Sequence, residues 1–136
     1  MHDPNCIFCK IAKGDIPSHK IYEDEDVFAF LDIEPVNIGH ALIIPKKHYV
    51  SMEETPDELL SKVFIVSKNL RPKIKQALDA NVVALTVIGL HVPHFHVQLI
   101  PRFKDDGLGG FWPTKKYKDS TEAETTANKI RSAISS

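Results

Sequence analysis

The sequence predicts an α+β fold: a five-stranded antiparallel sheet with a short N-terminal helix, one long central helix and a C-terminal helix. Three observations lead there. Short strand-like runs are separated by tight turns rather than by helices. One apolar stripe of helical period, Leu59, Val63, Val66, Leu70, Ile74 and Leu78, fills the middle of the chain. The 136 residues, 43% of them hydrophobic, are enough for one domain with its own core. Residues 1–136 are therefore read as a single domain, with 104–119 a mobile loop and 120–134 a C-terminal helix, the two forming an appendage.

Each element has a local reason. Ile7, Phe8 and Ile11, followed by Gly14, read as a short helix over 6–13 with a glycine terminator. Lys20 to Glu23 and Val27 to Leu31 flank the acidic turn Asp24-Glu25-Asp26, which predicts a hairpin. Asp32 to Gly39 holds Pro35 and Asn37 and is a loop. The aliphatic run Ala41 to Ile44, stopped by Pro45, is a buried strand. Thr55-Pro56 supplies an N-cap and a first-turn proline for the long helix, and Pro72 should kink it. Val82 to Ile88 and Phe95 to Ile100 are the last two strands. Thr121 and Glu124 have the spacing of a capping box for the final helix.

Composition narrows function. A net charge of -1 argues against a broad basic surface for nucleic acid. The longest apolar runs are too short to span a bilayer, and Met1-His2-Asp3-Pro4 lacks the features of a signal peptide, so a cytoplasmic protein is expected. Both cysteines lie in Cys6-Ile7-Phe8-Cys9. In a reducing compartment that spacing suits a metal or redox pair, or two free thiols on a short helix. A thioredoxin-type pair should follow a strand, and five preceding residues leave no room for one, which favours metal.

The chemistry concentrates in Val92-Pro93-His94-Phe95-His96-Val97-Gln98-Leu99-Ile100-Pro101-Arg102. On a strand, His94, His96 and Gln98 share one face at roughly 7 Å intervals, and Phe95, Val97 and Leu99 form the core face. A polar row on a solvated face needs no function. Imidazole, however, is the side chain best suited near pH 7 to both metal ligation and attack on phosphorus.

This stretch resembles the signature of the histidine-triad nucleotide hydrolases and transferases. So do Cys6-Ile7-Phe8-Cys9-Lys10-Ile11, Ile21-Tyr22-Glu23-Asp24, Phe28-Ala29-Phe30-Leu31-Asp32-Ile33 and Gly39-His40-Ala41-Leu42-Ile43-Ile44-Pro45-Lys46-Lys47-His48, in the family's order. The resemblance spans roughly residues 6 to 102. It implies that His96 is the nucleophile and forms a nucleotidyl-histidine. Phe30 would lie against the base, although spacing alone favours a core role for it, and Asp32 would hold the ribose hydroxyls. His40 would pack behind the histidine row, among the nucleotide-binding residues. It also implies a structural zinc held by Cys6, Cys9, His48 and His94, and a homodimer with continuous sheets.

Two departures stand out. The third histidine is replaced by Gln98, which can donate a hydrogen bond to phosphate but cannot act as a general acid. Phosphoanhydrides or nucleotide sugars are therefore expected to outrun phosphoramidates. The family's usual amide-bearing run before the row is replaced by Ala84-Leu85-Thr86-Val87-Ile88-Gly89-Leu90-His91. Thr86 and His91 become candidate replacements for those phosphate contacts, Gly89 joins the candidate nucleotide-binding residues, and His91 is also a candidate proton donor. The expected activity is hydrolysis of a nucleoside 5'-phosphoanhydride or related conjugate. Nucleotidyl transfer to a phosphate acceptor and a zinc-stabilised nucleotide-binding adaptor are the alternatives.

Overall fold

The structure, a computed structural model, describes residues 2–110 and 113–135. Its elements are α1 (Ile7–Lys13), β1 (Lys20–Glu23), β2 (Val27–Leu31), β3 (Ala41–Pro45), α2 (Asp57–Leu78), β4 (Val82–Thr86), β5 (Val97–Arg102) and α3 (Ser120–Ser135). The five strands form one sheet in the order β1-β2-β3-β5-β4, antiparallel at every pairing. The expected architecture is the observed one. The chain divides into two compact units, Met1–Asp106 and Gly107–Ser136.

In the first unit, apolar side chains fill both faces of the sheet. Val27, Ala29, Ala41, Ile43, Val83, Val97 and Leu99 meet Val63 and Val66 of α2 on one face. Phe28, Phe30, Leu42 and Ile44 meet Cys6, Phe8, Cys9 and Ile11 on the other. Double-sided burial explains why β2 and β3 read as unbroken apolar runs rather than alternating ones. Gly14 ends α1 in the left-handed region at φ 88, as its position foretold. The hairpin turn closes on Asp24, whose Oδ1 accepts from the backbone N–H of Asp26 and Val27 at 2.8 Å each.

Several local expectations are corrected. Thr55 does not cap α2: its hydroxyl donates to the Ser51 carbonyl at 2.9 Å, and Pro56 occupies the cap position without a side-chain bond. Asp57 and Glu58 in the first turn offset the exposed helix N-terminus electrostatically instead. α2 carries Pro72 in its interior and continues beyond it to Leu78. Fully buried Ser67 joins the stripe because its hydroxyl donates to the Val63 carbonyl at 2.8 Å, within its own helix. The last two strands are each displaced from expectation, β4 ending at Thr86 and β5 running from Val97 to Arg102. Taken by itself, the second unit has bends at Gly107 and Gly110 and no regular structure over 113–117. The cap of α3 is Asp119, whose Oδ1 accepts from Glu122 N–H at 2.8 Å, two residues before the Thr121–Glu124 pair.

Candidate active site

His94 and His96 lie just before β5, yet the alternation expected of a strand persists. Phe95 joins the core on the α2 face, while the two histidines point to the α1 side. The segment is held by Phe95 N–H donating to the Tyr49 carbonyl at 2.7 Å. The row is not solvated: His94 is 0% and His96 8% exposed, because α1 closes over that face. Phe8 makes the closure, its ring edge-to-face with His96 at 5.1 Å and with His94 at 5.9 Å. The sequence pointed to Phe8 only as a helix-core residue.

Backbone carbonyls aim both rings. His96 donates from Nδ1 to the His94 carbonyl at 2.7 Å, which leaves Nε2 with its lone pair. His94 is turned the other way. Its Nε2 donates to the Pro45 carbonyl at 2.8 Å, and Nδ1 faces the two cysteines and His48. Burial drives the His94 pKa down to about 4, so the ring is neutral and ligand-competent at neutral pH.

Cys6, Cys9, His48 and His94 converge, with ligand atoms all within 4.8 Å of one another. The spacing can be tested against a metal. Four ligands on a tetrahedral zinc at ordinary bond lengths lie about 3.3 Å apart for two nitrogens and about 3.6 Å for nitrogen and sulfur. Here His48 and His94 Nδ1 are 3.3 Å apart, and three of the four sulfur–nitrogen pairs, Cys6 with His94 and Cys9 with His48 and His94, lie at 3.4, 3.4 and 3.6 Å. The donor set and spacing fit a closed tetrahedral site. Burial raises the Cys9 thiol pKa, a cost that a cation would reverse. The Asp3 backbone N–H donates to Cys9 Sγ at 3.4 Å, and Asp3 Oδ2 lies 3.8 Å from His48 Nε2. Both contacts are of the kind that orients metal ligands.

At the third position Gln98 Oε1 lies 2.8 Å from His40 Nε2. His40, 3% exposed, sits behind the row as expected. It follows Gly39, whose φ of +95 favours glycine and where an added Cβ would run into the Leu78 side chain. Asp32 lies beside it, Oδ2 being 3.9 Å from His40 Nε2 and Oδ1 accepting from Glu34 N–H at 2.9 Å.

The remaining candidates spread around this centre. Phe30, Leu42, Gln98 and Thr86 form one row across four strands. Phe30 is 3% exposed and edge-to-face with Phe8 at 5.6 Å, a core placement. Thr86 Oγ1 is buried and, among the described residues, has no hydrogen-bond partner. Gly89 and His91 line a cleft of about 570 Å³ with His96, Ser51 and Met52. Its apolar wall of Val50, Met52, Ile88 and Leu90 was not foreseen, since no short motif marks it.

The HIT domain family model matches residues 13–105. A Saccharomyces cerevisiae protein named adenosine 5'-monophosphoramidase is 42% identical over 118 residues, covering 84% of this chain and 73% of its own. Among solved structures, a Streptococcus mutans protein superposes with a TM-score of 0.87 at 35% identity, covering 97% of this chain and 87% of that one. A zinc-bound histidine triad family protein from Mycobacterium smegmatis gives 0.71 at 27% identity, covering 91% and 97%. Cys6 and Cys9 precede the matched span, so the metal reading rests on the donor geometry.

Proposed function

The chain belongs to the HIT family, and from that premise we propose that it is a nucleotide hydrolase whose nucleophile is His96. The observation that carries this reading is the His96 ring: Nδ1 is tied to a carbonyl at 2.7 Å and Nε2 is left as a lone pair. In the first step Nε2 attacks the α-phosphorus, a nitrogen–phosphorus bond forms, and the bond to the leaving group breaks. The His94 carbonyl stabilises the positive charge that develops on the ring. Water then attacks phosphorus, expels the imidazole and releases the nucleotide, its proton passing to solvent.

Asp32 is proposed to accept from the ribose hydroxyls and Gln98 to donate to a phosphoryl oxygen. Thr86 and Gly89 complete the proposed nucleotide-binding set; Phe30, as buried as His40, belongs to the core beside Phe8. His91 on the cleft wall is the proposed proton donor to the leaving group. We propose zinc as the ion of the Cys6, Cys9, His48 and His94 cluster. With four protein ligands its contribution is structural, tying α1 to the segment that carries His96. Among the described residues no helix is long and apolar enough to cross a membrane. A cytoplasmic homodimer is proposed as well. The dimer gains support from the edge strand β4, which exposes Val82 and Leu85.

The name of the yeast relative favours a phosphoramidate as a second substrate class; Gln98, lacking a proton to give, favours an anhydride. Rapid-quench mass spectrometry with a panel of nucleotides tests the mechanism. The expected result is a nucleotidyl-protein adduct that is absent in His96→Ala, with nucleotide affinity within a few-fold of the parent. Product that depends on an added phosphate acceptor would establish transfer instead of hydrolysis. Tight binding without adduct or product would make the protein an adaptor, and turnover retained in His96→Ala would remove His96 as nucleophile.

A further inference from the structure

We infer that His40 is a positioning residue that sets the amide of Gln98, so that the NH₂ end of Gln98 is presented to the substrate's phosphoryl group. The inference rests on the proposed attack by His96 but assigns His40 a role apart from nucleotide contact. Val36 N–H donates to His40 Nδ1 at 3.1 Å, so that nitrogen is an acceptor and the ring proton sits on Nε2. Nε2 lies 2.8 Å from the Gln98 side chain, and an N–H there requires an acceptor opposite, which is Oε1. The tautomer of one side chain thereby dictates the orientation of the other. Among the described residues Gln98 Nε2 donates to no group, and Gln98 is only half-buried, so its two N–H bonds remain for a ligand.

The backbone that carries the ring is held as well. Its own backbone N–H donates to the Asn37 carbonyl at 3.0 Å, and its carbonyl accepts from Asp32 N–H at 2.9 Å. Gly39 cannot gain a side chain without meeting Leu78. A donor fixed in advance stabilises charge developing on phosphorus without reorganising during the reaction. An amide free to rotate would present its oxygen to the phosphate part of the time, which repels. The 3% exposure of His40 leaves it almost no surface for the nucleotide itself.

The test is a double-mutant cycle in kcat/KM on the intact protein, with a nucleoside phosphoanhydride and folding checked by circular dichroism. Gln98→Ala should lower kcat/KM by about 10²-fold, the usual cost of one such donor. Gln98→Glu keeps the acceptor facing His40 but loses the donor, and should fall at least as far. His40→Ala should cost about 10-fold in the parent and nothing further in the Gln98→Ala background, because its effect passes through Gln98. His40→Gln, which can still donate from an amide, should recover part of the loss and serves if His40→Ala fails to fold. Full additivity of the two losses, or a Gln98→Glu variant as active as the parent, would overturn the positioning role while leaving attack by His96 intact. Turnover surviving His96→Ala would instead overturn the underlying mechanism, whatever the cycle shows.

Discussion

Removing the zinc proposed for the Cys6, Cys9, His48 and His94 cluster should cost this protein stability in an amount that depends on pH in a calculable way. Ligation requires thiolates, so Cys6 and Cys9 each release a proton when zinc binds. His94 releases none at neutral pH, because burial already holds its pKa at about 4. Two protons per metal make the apparent affinity rise about 100-fold between pH 7 and pH 8. At free zinc 100 times the dissociation constant the folded state gains about 2.7 kcal/mol. For a chain of this length that corresponds to a melting temperature higher by roughly 10 °C. The metal-free protein carries a second dependence of known sign. Its folded-state His94 pKa lies below the ordinary value of 6.5, so on acidification the unfolded chain takes up the proton first. The stability that His94 contributes is therefore fully present above about pH 6.5 and is lost as pH falls to about 4, amounting to about 3 kcal/mol. The assay is zinc competition against a chromophoric chelator at pH 7 and 8, with thermal melts of holo and chelated protein. A pH slope near zero, melts that chelation does not move, or zinc binding unaffected by Cys6→Ser would each refute the four-ligand reasoning.

Three further outcomes are expected. Asp32→Asn should raise KM for ribonucleotides more than for 2′-deoxyribonucleotides, since a carboxylate accepts from ribose hydroxyls better than an amide does; equal effects on matched pairs would take Asp32 out of that role. Gln98→His should shift preference toward phosphoramidates by on the order of 10²-fold, the scale of one general acid, when kcat/KM is compared for a matched phosphoramidate and anhydride. No shift, with the parent already preferring the phosphoramidate, would mean that another group supplies the proton. Thr86→Val removes a buried hydroxyl that has no partner, and should raise stability by about 1 kcal/mol in urea unfolding. A loss of stability would refute that reasoning, while a fall in activity beside the gain in stability would fit the proposed contact of the hydroxyl with the nucleotide.

Local pattern was enough to read the hairpin, the two-sided strands, α1 with its glycine stop and the long central helix, because each is written in short-range periodicity and turn chemistry. Helix caps were legible in kind but not in place. Thr55 and Asp119 each had several polar neighbours within reach, and three-dimensional proximity chose among them. The same division holds at the site. Cys6-Ile7-Phe8-Cys9 and His94-Phe95-His96 carry donor atoms at suggestive spacings, and family resemblance proposed the ligand set. Only the fold brings Cys6 Sγ to 3.4 Å from a ring 88 residues away, because α1 lies across the sheet face that the histidines share. That closure also buries the two histidines of the row, where the bland reading of the pattern was a solvated face. It lowered the His94 pKa, and backbone carbonyls aim both rings within it. The hydrogen bond from His40 to Gln98 spans 58 residues and depends on β3 and β5 being neighbours in the sheet. Residue types declare what a side chain can donate or accept; strand order and burial decide which partner is there to receive it.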